Sequence, residues 1–392
     1  MPSVIKRRLA VSCLLVLLTG CSGDAESPDR GTAKPVPTAS SGAGYGDILV
    51  GGEPVTGSKP SGNRKIPYQR TYAEGELYAF VTGHRSLSFG TSGVEALREE
   101  SLTHRKGEDV ATTIDPKVQK AAFAALGERR GAAVALNART GALLAVVSTP
   151  SHDPGTFSGF SYKDAEAWEE LNGDRNKPLL NRALREATPP GETFDLVIAA
   201  AALEHGLYDT ADEPVAGGSG ECANATIRAA LVRSCHDVFA RLAAELGEEK
   251  LRATAEAFGF GDAEVEVPVR AAESEYGSYR DGSVTVTPLQ LARVTAAFAN
   301  RGLMAAPHMV AGETGGRAAR SVPASAAGLL LPALREKETW APTADADGAP
   351  SAWSITLART GGGDPVALAA RVAAPDGAGA ARVTAAMTAA LS

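Results

Sequence analysis

The spacing of apolar and polar positions predicts a small N-terminal module followed by a large mixed domain. Residues 47–109 are polar and rich in turn-forming residues, with short strand-like pieces at 47–50 and 77–81. From residue 110 onward, apolar positions recur at helical or strand spacing over longer stretches. The pattern therefore predicts an irregular module over 47–109 and one larger domain over 110–392.

Several helices are predicted in the larger domain, and two of them carry start signals. Asp115 can cap a helix whose first position is Pro116, and Thr287 can cap one that begins at Pro288. The stretch 194–207 is apolar almost all round, which is typical of a buried central helix. Helical spacing predicts further helices at 225–233, 237–246, 248–258 and 381–391.

Four apolar runs predict strands at opposite ends of this domain. Runs 132–136 and 142–147 flank a turn that ends in Gly141 and predict a hairpin, and two more runs lie at 354–358 and 366–372. Strands at both ends with helices between them indicate an α/β protein of the α+β kind. We expect an antiparallel sheet that distant segments close and helices cover.

The first twenty residues resemble a bacterial secretion signal. Lys6, Arg7 and Arg8 precede the apolar run 9–18, which is too short to span a membrane comfortably. The run ends in Leu-Thr-Gly-Cys21, which resembles a lipobox, so we expect residues 1–20 to be removed and Cys21 to carry a lipid. An ordinary signal peptide with a chance cysteine is the alternative. Lipidation of Cys21 would anchor the protein at the extracytoplasmic face of the bacterial membrane, and we expect it there.

Composition narrows the partners of the remaining chain. Residues 21–46 are rich in Ser, Gly, Pro and Ala and predict a disordered tether. Cleavage after residue 20 would change the formal charge from −7 to −10, since three positive charges are lost. An acidic chain argues against nucleic acid as a partner. The six histidines show no paired-ligand spacing, so we expect no metal and no cofactor.

Two cysteines, Cys222 and Cys235, remain once Cys13 is removed and Cys21 is lipidated. In an extracytoplasmic protein a disulfide can persist, and a bridge between the two is one hypothesis. Two small buried thiols are the alternative.

Several short motifs resemble the class B penicillin-binding proteins, especially the actinobacterial type. They are TTIDP at 112–116, VSTPS at 147–151 and LNRA at 180–183, and the similarity also covers 45–50, 285–290 and 307–310. The resemblance implies a transpeptidase fold related to the serine β-lactamases. It also implies D,D-transpeptidation, the reaction by which these enzymes cross-link the stem peptides of peptidoglycan.

The first motif of that family has a nucleophilic Ser at a helix N-terminus and a Lys three residues later. Here the segment 189–195 reads PPGETFD, which places Glu192 at the Ser position and Asp195 at the Lys position. Glu192 could attack only by forming an anhydride, and two neighbouring carboxylates should raise one another's pKa. The Thr193 hydroxyl lies about 100° away around the helix. We therefore expect acylation to be lost.

The second and third motifs are also altered. The family's S-x-N appears as Ser234-Cys235-His236, in which the imidazole either donates a hydrogen bond or is an ordinary helix-start residue. The family's K-T-G, which lies on an edge strand, is matched with Arg359-Thr360-Gly361. Arg359 could clamp a carboxylate, but we favour a salt bridge from Arg359 to Glu192 or Asp195 that fills the site. The glycine-rich loop expected before this motif is replaced by the acidic segment 336–353.

Two functions remain open from the sequence. The favoured one is an inactive pseudo-transpeptidase that binds cell-wall stem peptides, β-lactams without acylation, or proteins of the wall-synthesis machinery. The alternative is an active transpeptidase with an unorthodox nucleophile, or a hydrolase built on Glu192, Asp195 and His236.

Overall fold

The computed structural model describes residues 44–103, 107–262, 265, 267–313, 318–337, 342–344, 348–373 and 378–392. The predicted signal peptide, Cys21 and most of the tether lie outside these residues. Within the described part of the chain, none of the helices combines the length and apolar character needed to cross a bilayer.

The described residues form thirteen α-helices and fourteen strands, numbered here in chain order. The helices are α1 Gly75–Thr82, α2 Gly93–Leu97, α3 Glu99–Thr103, α4 Pro116–Leu126, α5 Tyr162–Gly173, α6 Arg182–Arg185, α7 Asp195–Glu204, α8 Ile227–Arg233, α9 His236–Leu246, α10 Glu248–Ala257, α11 Pro288–Ala299, α12 Ala324–Glu336 and α13 Ala378–Ala390. The strands are β1 Ile48–Val50, β2 Glu53–Pro54, β3 Thr56–Pro60, β4 Tyr68–Tyr72, β5 Arg85–Ser86, β6 Gly90–Thr91, β7 Val110–Ala111, β8 Gly131–Asn137, β9 Leu143–Thr149, β10 Leu303–Met304, β11 Ala319–Arg320, β12 Pro342–Ala344, β13 Pro350–Arg359 and β14 Pro365–Val372.

The main sheet has five antiparallel strands in the order β12-β13-β14-β8-β9. The C-terminal strand β14 pairs with β8 over seven residues, so segments far apart in the chain close the sheet. Every residue of β8 and β14 is buried, because α4 and α13 cover one face while α7 and α11 belong to the core on the other. The predicted helix-covered antiparallel sheet is confirmed.

The two predicted helix starts are confirmed by their capping bonds. The Asp115 carboxylate accepts from the backbone N–H of Lys117, with Pro116 at the first position of α4. The Thr287 hydroxyl accepts from the N–H of Gln290 at 3.1 Å, one turn into α11. Both signals are local, which is why the sequence alone reveals them.

Two expectations about local structure are wrong. The run 77–81 forms part of α1 rather than a strand, and all five residues are buried. An apolar run without alternation does not distinguish a buried helix from a buried strand. The segment after β9, for which the spacing of apolar positions predicts no helix before residue 194, contains α5, which begins with a capping box between Ser161 and Asp164. The helix α12, for which the sequence raised no expectation, later contributes to the site.

The N-terminal module is held by small strand pairs and one buried ion cluster. Strand β3 pairs with β4, and β1 pairs with both β2 and β7. The Glu95 carboxylate, fully buried, accepts from Arg70 Nε at 2.5 Å and from Arg85 Nε at 3.0 Å. Because each charge is paired and hydrogen-bonded, the cluster can exist away from water.

Candidate active site

The loop before α7 brings Glu192 and Asp195 together. The backbone passes Pro189 and Pro190, turns at Gly191 with φ +55°, and forms a short 3₁₀ helix that continues into α7. Asp195 follows Glu192 by three residues, so both side chains lie on one face of this helical segment. Asp195 is 2% exposed, and the Glu192 side chain is 17% exposed.

A lysine that sequence reasoning did not select supplies the cation of this site. Lys337 follows the last residue of α12 and is buried. Its Nζ donates to Ser234 Oγ and to the Leu231 carbonyl, each at 2.7 Å, and lies 3.9 Å from Glu192 Oε2. Lys337 lies at the start of the segment 336–353, and its contact with Ser234 joins residues far apart in the sequence.

Burial dominates the electrostatics of the cluster. The pKa of Asp195 is raised well above its usual value, first by burial and then by Glu192, while Lys337 opposes the shift. Among the described residues, Asp195 Oδ1 has no hydrogen-bond partner. The pKa of Lys337 is lowered by burial and raised less strongly by the two carboxyl groups. Mutual repulsion was the expected cause for Asp195, but desolvation is the larger one.

The second motif lies at the junction of α8 and α9. Ser234 has φ 58°, in the left-handed region, and ends α8. Cys235 forms a disulfide with Cys222, and His236 begins α9 with its side chain exposed. The His236 ring lies 6.4 Å from the Tyr279 ring, centroid to centroid. Within the described residues, no hydrogen bond joins His236 to Glu192 or Asp195, so these three do not form a hydrogen-bonded catalytic cluster.

The third motif is not part of the site. Arg359 ends β13, and Thr360 and Gly361 form the turn into β14 rather than lying on an edge strand. The site touches β13 at Trp353, whose Nε1 donates to the Pro189 carbonyl at 2.9 Å. Arg359 lies six residue steps along the strand from Trp353, a distance of about 20 Å. The assignment of this motif to Arg359-Thr360-Gly361 is therefore wrong in position.

The expected salt bridge from Arg359 to Glu192 or Asp195 is also wrong. Arg359 instead donates to the Gly363 carbonyl at 2.7 Å within its own turn. Lys337 is the residue whose ammonium lies beside Glu192. The Thr193 hydroxyl is likewise turned away, since it is buried and donates to the Pro190 carbonyl at 2.6 Å.

A cavity of about 700 Å³ lies beside this cluster. Its walls include Gly191 and Phe194 before α7, His236 on α9, Tyr279, and Thr343 on β12. Strand β12 pairs with β13 and is the edge strand of the main sheet. One lining residue of the cavity, Thr343, therefore lies on a strand that has a single partner among the described strands of the sheet. The segment just before β12, residues 338–341, lies outside the described residues.

Two family models match the chain. The penicillin binding protein transpeptidase domain matches residues 131–346, and the penicillin binding protein A dimerisation domain matches residues 45–121. The first match lies within residues 110–392, and the second extends past residue 109 into that segment.

Relatives and solved structures of the same kind are similar to this chain. The peptidoglycan D,D-transpeptidase PbpA of Mycolicibacterium smegmatis is 34% identical over 317 residues, which cover 68% of this chain and 64% of that protein. The Mycobacterium tuberculosis protein of the same name is 32% identical over the same length. This chain thus spans less than two thirds of these relatives.

The structural likeness covers more of the chain. The crystal structure of PBPA from M. tuberculosis superposes with a TM-score of 0.79 and 29% identity, and covers 88% of this chain and 98% of that one. Its imipenem acyl-enzyme complex superposes with a TM-score of 0.77 at 28% identity, over 89% and 99% of the two chains. With a transpeptidase family model matching more than half of its residues, the chain belongs to the penicillin-binding protein transpeptidase family.

Proposed function

We propose that this chain is a non-catalytic member of the family, which acts at the bacterial cell envelope by binding rather than by acyl transfer. The observation that carries the proposal is the carboxyl pair Glu192 and Asp195 at the positions of the family's nucleophile and base. Neither group has the chemistry of a hydroxyl activated by an amine. The Cys21 lipobox supports attachment to the outer face of the membrane.

The cleft supports a peptide as the ligand. Strand β12 is an edge strand, and an extended peptide can add to such an edge through backbone hydrogen bonds. The 700 Å³ cavity beside it can hold the side chains of that peptide. We propose peptidoglycan stem peptides as the ligand, with non-covalent β-lactam binding at the same place.

One observation favours a second candidate, which is acyl transfer from Ser234. Its Oγ lies 2.7 Å from Lys337 Nζ, and burial lowers the pKa of that lysine, as in Ser–Lys hydrolases. Against this, Lys337 also donates to the Leu231 carbonyl and lies beside Glu192, which both favour the protonated ammonium over the free base. We therefore rank binding above catalysis.

Labelling with a fluorescent penicillin tests the proposal. We expect no covalent band that survives denaturation from the full chain. A stable band would overturn the proposal, and its loss in Ser234→Ala but not in Glu192→Gln would establish the second candidate instead.

Restoring the family residues provides a companion experiment. Glu192→Ser with Asp195→Lys returns the nucleophile and its amine, but His236 and the altered segment 336–353 remain. We expect labelling of this double variant to stay below that of an active family member run alongside. Full recovery would show that the first motif alone accounts for the loss of acylation.

A further inference from the structure

A second cavity, away from the cleft, lies between the N-terminal module and the larger domain. Its volume is about 440 Å³, within the roughly 300–1,000 Å³ range of small-molecule sites. Helix α1 and the turn around Ser92 form one side, and α5 with the segment leading into α6 forms the other. None of the residues of the cleft lines it.

One wall of this cavity is a preformed aromatic surface. The Trp168 ring lies 4.8 Å from Phe89, 5.0 Å from Phe157 and 5.6 Å from His84, measured between ring centroids. Phe80 lies beside it and contacts His152 edge-on at 5.5 Å. Because these rings hold one another in place, the wall needs little reorganisation to receive an apolar group.

The lining of the cavity includes a buried amide oxygen without a hydrogen-bond partner among the described residues. Asn181 is 8% exposed, and its Oδ1 makes no hydrogen bond with any residue the structure describes. A buried polar atom left unsatisfied costs stability, so such a group needs a reason. Asn181 precedes α6 but does not cap it with its side chain, so helix capping is not that reason.

His152 adds a second acceptor. Its Nδ1 lies 3.0 Å from the Pro178 carbonyl, which can only accept, so Nδ1 carries the proton. Burial lowers the pKa of His152 to about 4, so the ring is neutral at pH 7 and Nε2 has a lone pair. Asn181 and His152 together can receive an N–H group, and the Asn181 amide can also donate to a carbonyl.

The cavity has a single formal charge among its described lining residues, and it is positive. Arg185 is exposed at the rim and donates to the Arg270 carbonyl at 2.6 Å. No described carboxylate lies within salt-bridge distance of Arg185, and no Asp or Glu is among the described residues that line the cavity. In a protein of formal charge −7, an unpaired guanidinium at a cavity mouth favours an anionic group there.

We propose that this cavity binds the carboxyl-terminal residue of a peptide, which is chemically an N-acyl amino acid. The carboxylate would pair with Arg185, the amide with Asn181, and a large apolar side chain would pack on Trp168 and Phe80. The Asn181 amide, the Arg185 guanidinium and the apolar wall match the amide, the carboxylate and the side chain of this ligand. A sugar would bury hydroxyl groups for which the apolar wall provides no partners.

Isothermal titration of the full chain with N-acetyl-L-phenylalanine tests this site, with Trp168 fluorescence as a second readout. We expect saturable binding, about tenfold weaker binding of N-acetyl-L-phenylalaninamide, which lacks the carboxylate, and weak binding of N-acetyl-L-alanine. Preference for N-acetylglucosamine over the phenylalanine derivative would overturn the proposal, and so would equal affinity for the acid and its amide.

Two variants locate the ligand, and a third provides the control. Arg185→Gln should lower the affinity for N-acetyl-L-phenylalanine about tenfold and leave the affinity for N-acetyl-L-phenylalaninamide unchanged. Asn181→Leu should abolish binding without lowering the thermal midpoint, since it removes an unpartnered buried amide. Arg175→Gln, an exposed arginine that does not line the cavity, should bind as the parent does. Parent-like binding by Asn181→Leu and Arg185→Gln would refute the site, whatever the outcome of penicillin labelling at the cleft.

Discussion

The buried carboxyl group of Asp195 gives the stability of this protein a pH dependence opposite to that of a salt-bridged aspartate. Burial, reinforced by Glu192, raises the pKa of Asp195 well above its usual value. The native state therefore keeps a proton on Asp195 at pH values where the unfolded chain, with an aspartate pKa of about 3.9, has lost it. In that window the unfolded state binds fewer protons, so the free energy of unfolding falls as the pH rises.

Asp195→Asn keeps the shape of the protonated side chain and removes the titration. Within the window, Asp195 should lower the free energy of unfolding by about 1.4 kcal/mol for each pH unit. The variant lacks this contribution, so its stability relative to the parent should increase by about 1.4 kcal/mol for each pH unit within that window, which opens above the unfolded-state value. At a pH below the unfolded-state value of about 3.9, the two proteins should show a constant difference.

Urea unfolding followed by far-UV circular dichroism, at fixed ionic strength and closely spaced pH values, measures this difference. Asp209→Asn is the matched control, because Asp209 is exposed and makes no hydrogen bond among the described residues. Its stability should change with pH in parallel with the parent. The reasoning is refuted if Asp195→Asn and the parent change in parallel at every pH above about 3.9, since the pKa of Asp195 would then be the same in the native and unfolded states.

Two further substitutions test the roles of the site's cations. Lys337→Met removes the 2.7 Å bond to Ser234 and the ammonium beside Glu192, and should lower the free energy of unfolding by about 3 kcal/mol at pH 7. Lys120→Met, which breaks only a surface pair, should cost about 0.5 kcal/mol or less; equal effects in denaturant titrations would contradict a buried role for Lys337. Arg359→Ala should leave the affinity of the cleft for an acyl-D-Ala-D-Ala peptide unchanged by calorimetry, and a loss of more than about tenfold would place Arg359 in the cleft after all.

The parts of the fold that the sequence predicts are those with local signals. Asp115 before Pro116 and Thr287 before Pro288 mark helix starts, because a capping side chain and the proline act within one turn. Four of the five strands of the main sheet are recognisable as apolar runs next to turn residues, whereas β12 is not. In contrast, the run 77–81 has no alternation, and its helix is set by packing in the module rather than by its own pattern.

The residues of the site likewise divide into those with a local sequence signal and those without one. Glu192 and Asp195 are predictable because their motif is contiguous, and three residues fix their relative position on a helix. The role of Lys337 is not predictable, because this lysine contacts Ser234 across 103 residues of sequence. That contact depends on how α12 packs. The tripeptide at Arg359 matches the third motif in composition but ends an inner strand, so a short match without its strand position misplaces the cation.

The lysine of this site offsets part of the charge of the two carboxyl groups. A buried carboxylate beside another is costly, and a protein lowers that cost by protonation or by a nearby cation. Both occur here: Asp195 has a raised pKa, and Lys337 lies 3.9 Å from Glu192. The same ammonium holds Ser234 at the end of α8, so the group that neutralises the altered first motif also positions the second. The side chains around the cleft can thus keep their arrangement although the nucleophile is absent. A binding role requires that arrangement and does not require the nucleophile.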